Sequence, residues 1–104
     1  MLRVMTYEVR EDAVGANTAR VRDVVAALEA RGHAGTYLSA HVAGTGRFVH
    51  VVDPRIEGVL DDLPEFAAFR HGLRGVLVAG PVAHQAAVVA GAIDGAVTAP
   101  SASV

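Results

Sequence analysis

"YLSAHVAGTGRFVHVVD", residues 37–53, decides how this chain folds. Two alternating segments, 36–42 and 47–52, flank "AGTG", a short linker with two glycines. Period-two alternation around a glycine turn reads as a β-hairpin. With Gly44 and Thr45 as the turn residues, Ala43 pairs with Gly46 and the register follows. Val42 opposes Arg47, His41 opposes Phe48, Ala40 opposes Val49, Ser39 opposes His50 and Tyr37 opposes Val52. One face then carries Leu38, Ala40, Val42, Val49 and Val51, with Arg47 at its end. The other carries Tyr37, Ser39, His41, Phe48, His50 and Val52. The first face is almost purely aliphatic and is the expected bed for the helices. The second mixes apolar bodies with polar tips and carries no acidic or arginine side chain. A sheet face turned to water normally shows more charge, so this one is expected to be covered too, by the sheet of a second copy. A turn longer by one residue would move one strand's side chains to the opposite face.

Outward from the hairpin the period changes. Residues 2–9, "LRVMTYEV", read as a strand, and "REDAVGAN" as a polar connection. From Thr18, Val21, Val24, Val25 and Leu28 recur at helical spacing, with Asn17 or Thr18 as cap and Gly32 and Gly35 at the end. After the hairpin, Pro54 breaks the strand. A second helix is expected over "LPEFAAFRHGL", 63–73, with a cap at Asp61 or Asp62 and Phe66, Phe69 and Leu73 on one face. Residues 82–92 read as a last strand. The order β-α-β-β-α-β is the ferredoxin-like α+β unit, both helices on one face of an antiparallel sheet. Residues 1–93 form one domain on this reading. Residues 94–104, ending in "TAPSASV", form a flexible tail with little apolar area to offset the entropy of ordering.

Composition narrows the functions. The chain has 104 residues, 52% hydrophobic and 19% charged, with a net charge of -2. That suits one small globular domain, whose thin core oligomerisation would supplement. All nine basic residues are arginines, scattered from Arg3 to Arg74, so a phosphate-binding patch is missing and nucleic acid is not an expected partner. No membrane span is expected, since the least charged run, Gly75 to Ile93, contains Gly80, Pro81, His84 and Gln85. "LRVMTYEV" has charges where a secretory leader would be apolar, so the expected location is cytoplasmic. There is no cysteine, which excludes thiolate ligands and cysteine nucleophiles.

His41 and His50 lie diagonally across the hairpin, within reach of a common ligand. Histidine can act as a base near neutral pH, a hydrogen-bond donor or a metal ligand. The alternative is that both rings are satisfied by Ser39, Tyr37, backbone or water. A metal site needs three or four converging ligands, the hairpin supplies two, and no HxxxH or HExxH pattern occurs, so neither metal nor cofactor is expected. "GTG" and "AGP" lack the spacing of a nucleotide loop.

Four stretches, 7–32, 35–53, 63–73 and 88–93, resemble the antibiotic-biosynthesis-monooxygenase-like proteins, and together they span most of residues 2–93. "Phe-Val-His" at 48–50 and "Leu-Pro-x-Phe-x-x-Phe" at 63–69 are the closest matches. The resemblance implies a homodimeric α/β barrel with two facing sheets and, in each subunit, a cavity between sheet and helices for a hydrophobic ligand. Some relatives oxygenate aromatic polyketides without metal or flavin, typically with an asparagine and a tryptophan. Others degrade haem through a histidine on the second helix. Here tryptophan is absent, Asn17 is the lone asparagine, and His71 lies about 140° from Phe66 around the helix, off the apolar stripe. The implied function is cofactor-independent oxygenation of a small aromatic or polyketide-like compound. His50 would be the catalytic base, and Tyr37, Ser39, His41 and Phe48 would bind substrate. A non-catalytic binding protein, or a purely structural dimer, remains the alternative.

Overall fold

A computed structural model describes residues 1–33 and 35–91. Strand β1 spans Leu2–Val9 and passes through a 3-10 turn, Glu11–Ala13, into helix α1, Val14–Arg31. Strands β2 (Tyr37–His41) and β3 (Arg47–Val52) form the hairpin. A second 3-10 turn, Pro54–Ile56, leads to the short helix α2, Glu57–Asp61, then α3, Pro64–Arg74, and β4, Leu77–Ala86. All pairings are antiparallel, in the order β2-β3-β1-β4. This is the ferredoxin-like α+β topology.

The barrel expected of the fold is not found. The sheet is open, with β2 and β4 each paired on one side only. The expected 94–104 tail lies outside the described residues, as do positions 92 and 93 at the end of the expected 1–93 domain.

The hairpin register agrees with the expectation pair by pair, from Tyr37↔Val52 to His41↔Phe48. Its faces are used the other way round. Phe48, His50 and Val52 point into the core, where Tyr7 and Val9 of β1 meet Val21, Val24 and Leu28 of α1 and Phe69 and Leu73 of α3. Leu38 and Val42, of the aliphatic face, stay 43% exposed. The cause is volume and pairing. Aromatic rings fill the deep space between sheet and helices, each worth about 2–3 kcal/mol on burial. Their polar tips satisfy one another there.

Three boundaries differ for local reasons. Helix α1 begins four residues before Thr18, with Glu11 and Asp12 leading into it, where acidic groups suit a helix start. Helix α3 starts at Pro64 after Leu63, and Asp61 and Asp62 end α2 instead of capping α3. Strand β4 runs Leu77–Ala86 where 82–92 was expected, so it starts and ends earlier and absorbs Gly80 and Pro81. It is an edge strand, so the missing proline N–H leaves no ladder unpaired, and the register against β1 shifts beside these residues.

Candidate active site

Neighbouring strands bring together residues far apart in sequence. Met5 pairs with His50, Tyr7 with Phe48, and Ser39 with His50, so β1, β2 and β3 present one continuous row to the helices. Helix α1 adds Asn17, four residues before Val21 on the buried stripe. A chain of hydrogen bonds results. Asn17 Nδ2 donates to Tyr7 Oη at 2.8 Å, Tyr7 Oη bonds His50 Nε2 at 2.8 Å, and His50 Nδ1 bonds Tyr37 Oη at 3.0 Å. Phe48 and Phe69 enclose it, with Tyr7 stacked on Phe48 at 5.5 Å and Phe69 5.6 Å from His50. The chain is buried from Asn17 to His50 and opens only at Tyr37. Asn17 and His50 are 0% and 1% exposed, whereas Tyr37 is half-buried.

Burial sets the proton affinities. Desolvation lowers His50 from 6.5 to about 4, so the ring is neutral at neutral pH. Desolvation pushes Tyr7 up to about 12, against the hydrogen bond from Asn17. It raises Tyr37 further, helped by the nearby Tyr7. The neutral ring has one N–H. Tyr7 accepts from Asn17, so its own hydrogen is directed to Nε2, and Nδ1–H donates to Tyr37.

Of the residues expected at the site, Tyr37 and His50 meet directly, and Phe48 stacks on Tyr7, the other partner of His50. Ser39 sits opposite His50 and is half-buried. His41 shares the face but lies nearer the turn, its Nε2 bonded to the Thr45 carbonyl at 2.6 Å and its ring against Phe48 at 5.0 Å. His71 is exposed on α3, and His84 is exposed on the outer sheet face opposite Val4. Among the described residues no three His, Asp or Glu are placed to hold a metal ion.

Tyr7 and Asn17 are the site residues that the sequence reading missed. The available signal was phase. Asn17 extends the stripe Val21, Val24, Leu28 by one turn, and Tyr7 shares the alternation of Val9. Two open clefts, of about 410 and 260 Å³, lie elsewhere, at Asp53–Arg55 and at Thr6–Glu8 with Gly80. Neither is lined by His50, Tyr37 or His41.

No family model matches the chain, and no curated protein matches it in sequence. Solved structures do. One described as an antibiotic biosynthesis monooxygenase aligns with a TM-score of 0.65 at 16% identity, over 85% of this chain and 99% of its own. Rv0793 from Mycobacterium tuberculosis gives 0.62 at 20%, over 88% and 97%. A Nitrosomonas europaea protein, provisionally described as an antibiotic biosynthesis monooxygenase, gives 0.65 at 12%, over 86% and 92%. At such identities the likeness is one of fold. The chain therefore has the fold of the antibiotic-biosynthesis-monooxygenase-like structures. Among the described residues no helix is long and apolar enough to cross a membrane.

Proposed function

We propose that this protein is a cofactor-independent oxygenase for a small aromatic or polyketide-like compound, with His50 as the base. The observation that carries the reading is the aromatic-walled chain Asn17–Tyr7–His50–Tyr37, buried at one end and half-open at the other. The names of two fold relatives point the same way. Asn17, the residue type used by cofactor-free relatives, lies inside the site rather than at a helix end.

The ligand enters on the helix side of β2, past His41 and Ser39, and displaces the Tyr37 hydroxyl from Nδ1. Once Tyr37 leaves, the neutral ring exchanges its proton from Nδ1 to Nε2, where it donates to Tyr7, and the bare Nδ1 takes a proton from an activated ring methylene. The carbanion passes one electron to dioxygen. The radical pair combines to a carbon-bound peroxide anion, which takes the proton back from Nδ1, and the resulting hydroperoxide loses water. In balance, one methylene and one dioxygen become one carbonyl and one water, with no outside reductant. Tyr37 donates a hydrogen bond to the oxygen where charge collects, and His41, its Nε2–H held by the Thr45 carbonyl, lines the entrance. Phe48 packs the ring.

A second reading has its own support. Both nitrogens of His50 are already bonded and its proton affinity is low, which suits a binding site without turnover or a structural core. Oxygen uptake with a panel of anthrone- and quinol-like compounds separates the readings. Turnover in wild type that falls at least a hundredfold in a folded His50→Gln variant supports the base. Saturable binding without uptake supports the second reading. Neither uptake nor binding across the panel removes the oxygenase.

The expected partner is a second copy of the chain, lying on the outer sheet face. Leu38, Val42 and Val82 there keep 43%, 43% and 48% exposure, and no helix among the described residues covers them. The location within the cell is proposed as cytoplasmic on the sequence alone.

A further inference from the structure

The buried chain has one polar atom without a partner. Asn17 is fully buried and its Nδ2 donates to Tyr7, yet its Oδ1 accepts no hydrogen bond among the described residues. An unpaired buried acceptor is costly, and its place at the end of a proton-bearing chain gives it a use.

Tyr7 can donate in either direction along this chain. With His50 neutral, the amide N–H of Asn17 donates to Tyr7, Tyr7 donates to Nε2, and Nδ1–H donates to Tyr37. When the ring gains a second proton, both nitrogens are donors. Tyr7 must then accept from Nε2–H and turn its own hydrogen away from the ring. On that side stands Asn17, 2.8 Å from the hydroxyl. Its Nδ2 opposes that hydrogen, whereas its Oδ1 receives it. Half a turn about the last side-chain bond exchanges the two atoms. One end of the amide is unpaired in either orientation, so the direction of donation at Tyr7 decides which is preferred.

We propose that Asn17 is a positioning residue that follows the state of His50: its amide nitrogen supports the neutral ring, and its amide oxygen, turned onto Tyr7, supports the imidazolium. This rests on His50 as the proton acceptor proposed above. The titratable groups facing the ring are Tyr7 from β1 and Tyr37 from β2. From α3 the neighbour is Phe69, and from α1 the connection runs through Asn17 and Tyr7. None of these is charged at neutral pH: an ordinary phenol is protonated there, and burial raises both further. The amide is therefore the group whose orientation tunes the ring.

The test is nuclear magnetic resonance on the full chain with 15N-labelled histidine, which reads tautomer and titration without any substrate. His50 is assigned by the signals lost in His50→Gln. Wild type is expected to hold the Nδ1–H tautomer. In Asn17→Asp the carboxylate can only accept, so the Nε2–H form gains and the proton affinity of His50 rises at least tenfold. In Asn17→Leu the imidazolium loses its distal acceptor, and the affinity falls at least threefold. An unchanged tautomer and titration in a folded Asn17→Asp chain overturns the proposal. If that variant does not fold, Asn17→Leu decides: a fall supports the proposal and an unchanged titration overturns it. Oxygen uptake with no shift here would reject the role of Asn17 alone. The expected shifts with no turnover would reject the oxygenase alone.

Discussion

His50 places a basic nitrogen where charge is poorly solvated, and stability must therefore depend on pH. Its folded value, about 4, lies below the ordinary 6.5. Above pH 6.5 the ring is neutral in both states and its contribution is fully present. Between pH 6.5 and 4 the unfolded chain binds the proton first, and about 3 kcal/mol of stability is lost by the lower end. Urea unfolding across this range is expected to show the loss in wild type and a flatter profile in His50→Gln. That variant should also lose about 1–3 kcal/mol at pH 7, through the broken hydrogen bonds to the two tyrosines. The readout is clean: the chain has two tyrosines and no tryptophan, and both tyrosines bond this ring. Equal slopes in the two proteins would show that His50 titrates normally. Asp53, held below the usual carboxylate value by Arg55, is deprotonated through this window and adds little to it. At this scale Tyr37 and His50 were legible, because hairpin register alone juxtaposes them. Asn17 and Tyr7 were not, because their meeting depends on how α1 lies over β1, which no local pattern encodes.

The hairpin shows which elements local rules fix. Alternation, two glycines and a short linker set the pairing of β2 with β3, and the structure keeps every expected pair from 37 to 41. The two glycines do different work. Gly44 has φ +76 and open space around its missing Cβ, so it serves the turn's left-handed backbone. Gly46 serves a contact: Val9 N–H donates to its carbonyl at 2.9 Å, and an added Cβ would collide with the Val9 carbonyl oxygen. Gly46→Ala must push β3 off the end of β1 and is expected to cost about 2–3 kcal/mol. Gly44→Ala strains one residue and is expected to cost about 1 kcal/mol. Thermal melts of the two variants test the order, and a larger loss at Gly44 would mean the close approach of β1 and β3 is absent. Strand β4 shows the limit of such rules. Gly80 and Pro81 together favour a turn, and only the edge position of β4 lets the strand continue through Pro81.

At the scale of the molecule, an aliphatic face did not mark the core. Local pattern says that two faces differ; it does not say which one the helices cover. The choice follows from volume and from polar pairing across three strands and a helix, both of which are tertiary. The consequence is an uncovered sheet surface with rows such as Ala40, Val49, Thr6 and Val82, or Leu38, Val51, Val4 and His84. A monomer leaving this surface in water would forgo apolar burial that a chain of this size needs. The mixed face is occupied by the chain's own helices, so the aliphatic face is the one available to a second copy. Val49 lies in its middle row, beside Thr6 and Ala40. In Val49→Arg a guanidinium would be desolvated at the centre of an apolar interface, which costs several kcal/mol when unpaired. The same side chain on a monomer would remain in water. Sedimentation at low micromolar concentration is therefore expected to give wild type at twice 10.7 kDa and Val49→Arg at 10.7 kDa, with matching circular dichroism. A wild-type chain that sediments at 10.7 kDa in its native state would reject the second copy as the cover for this face.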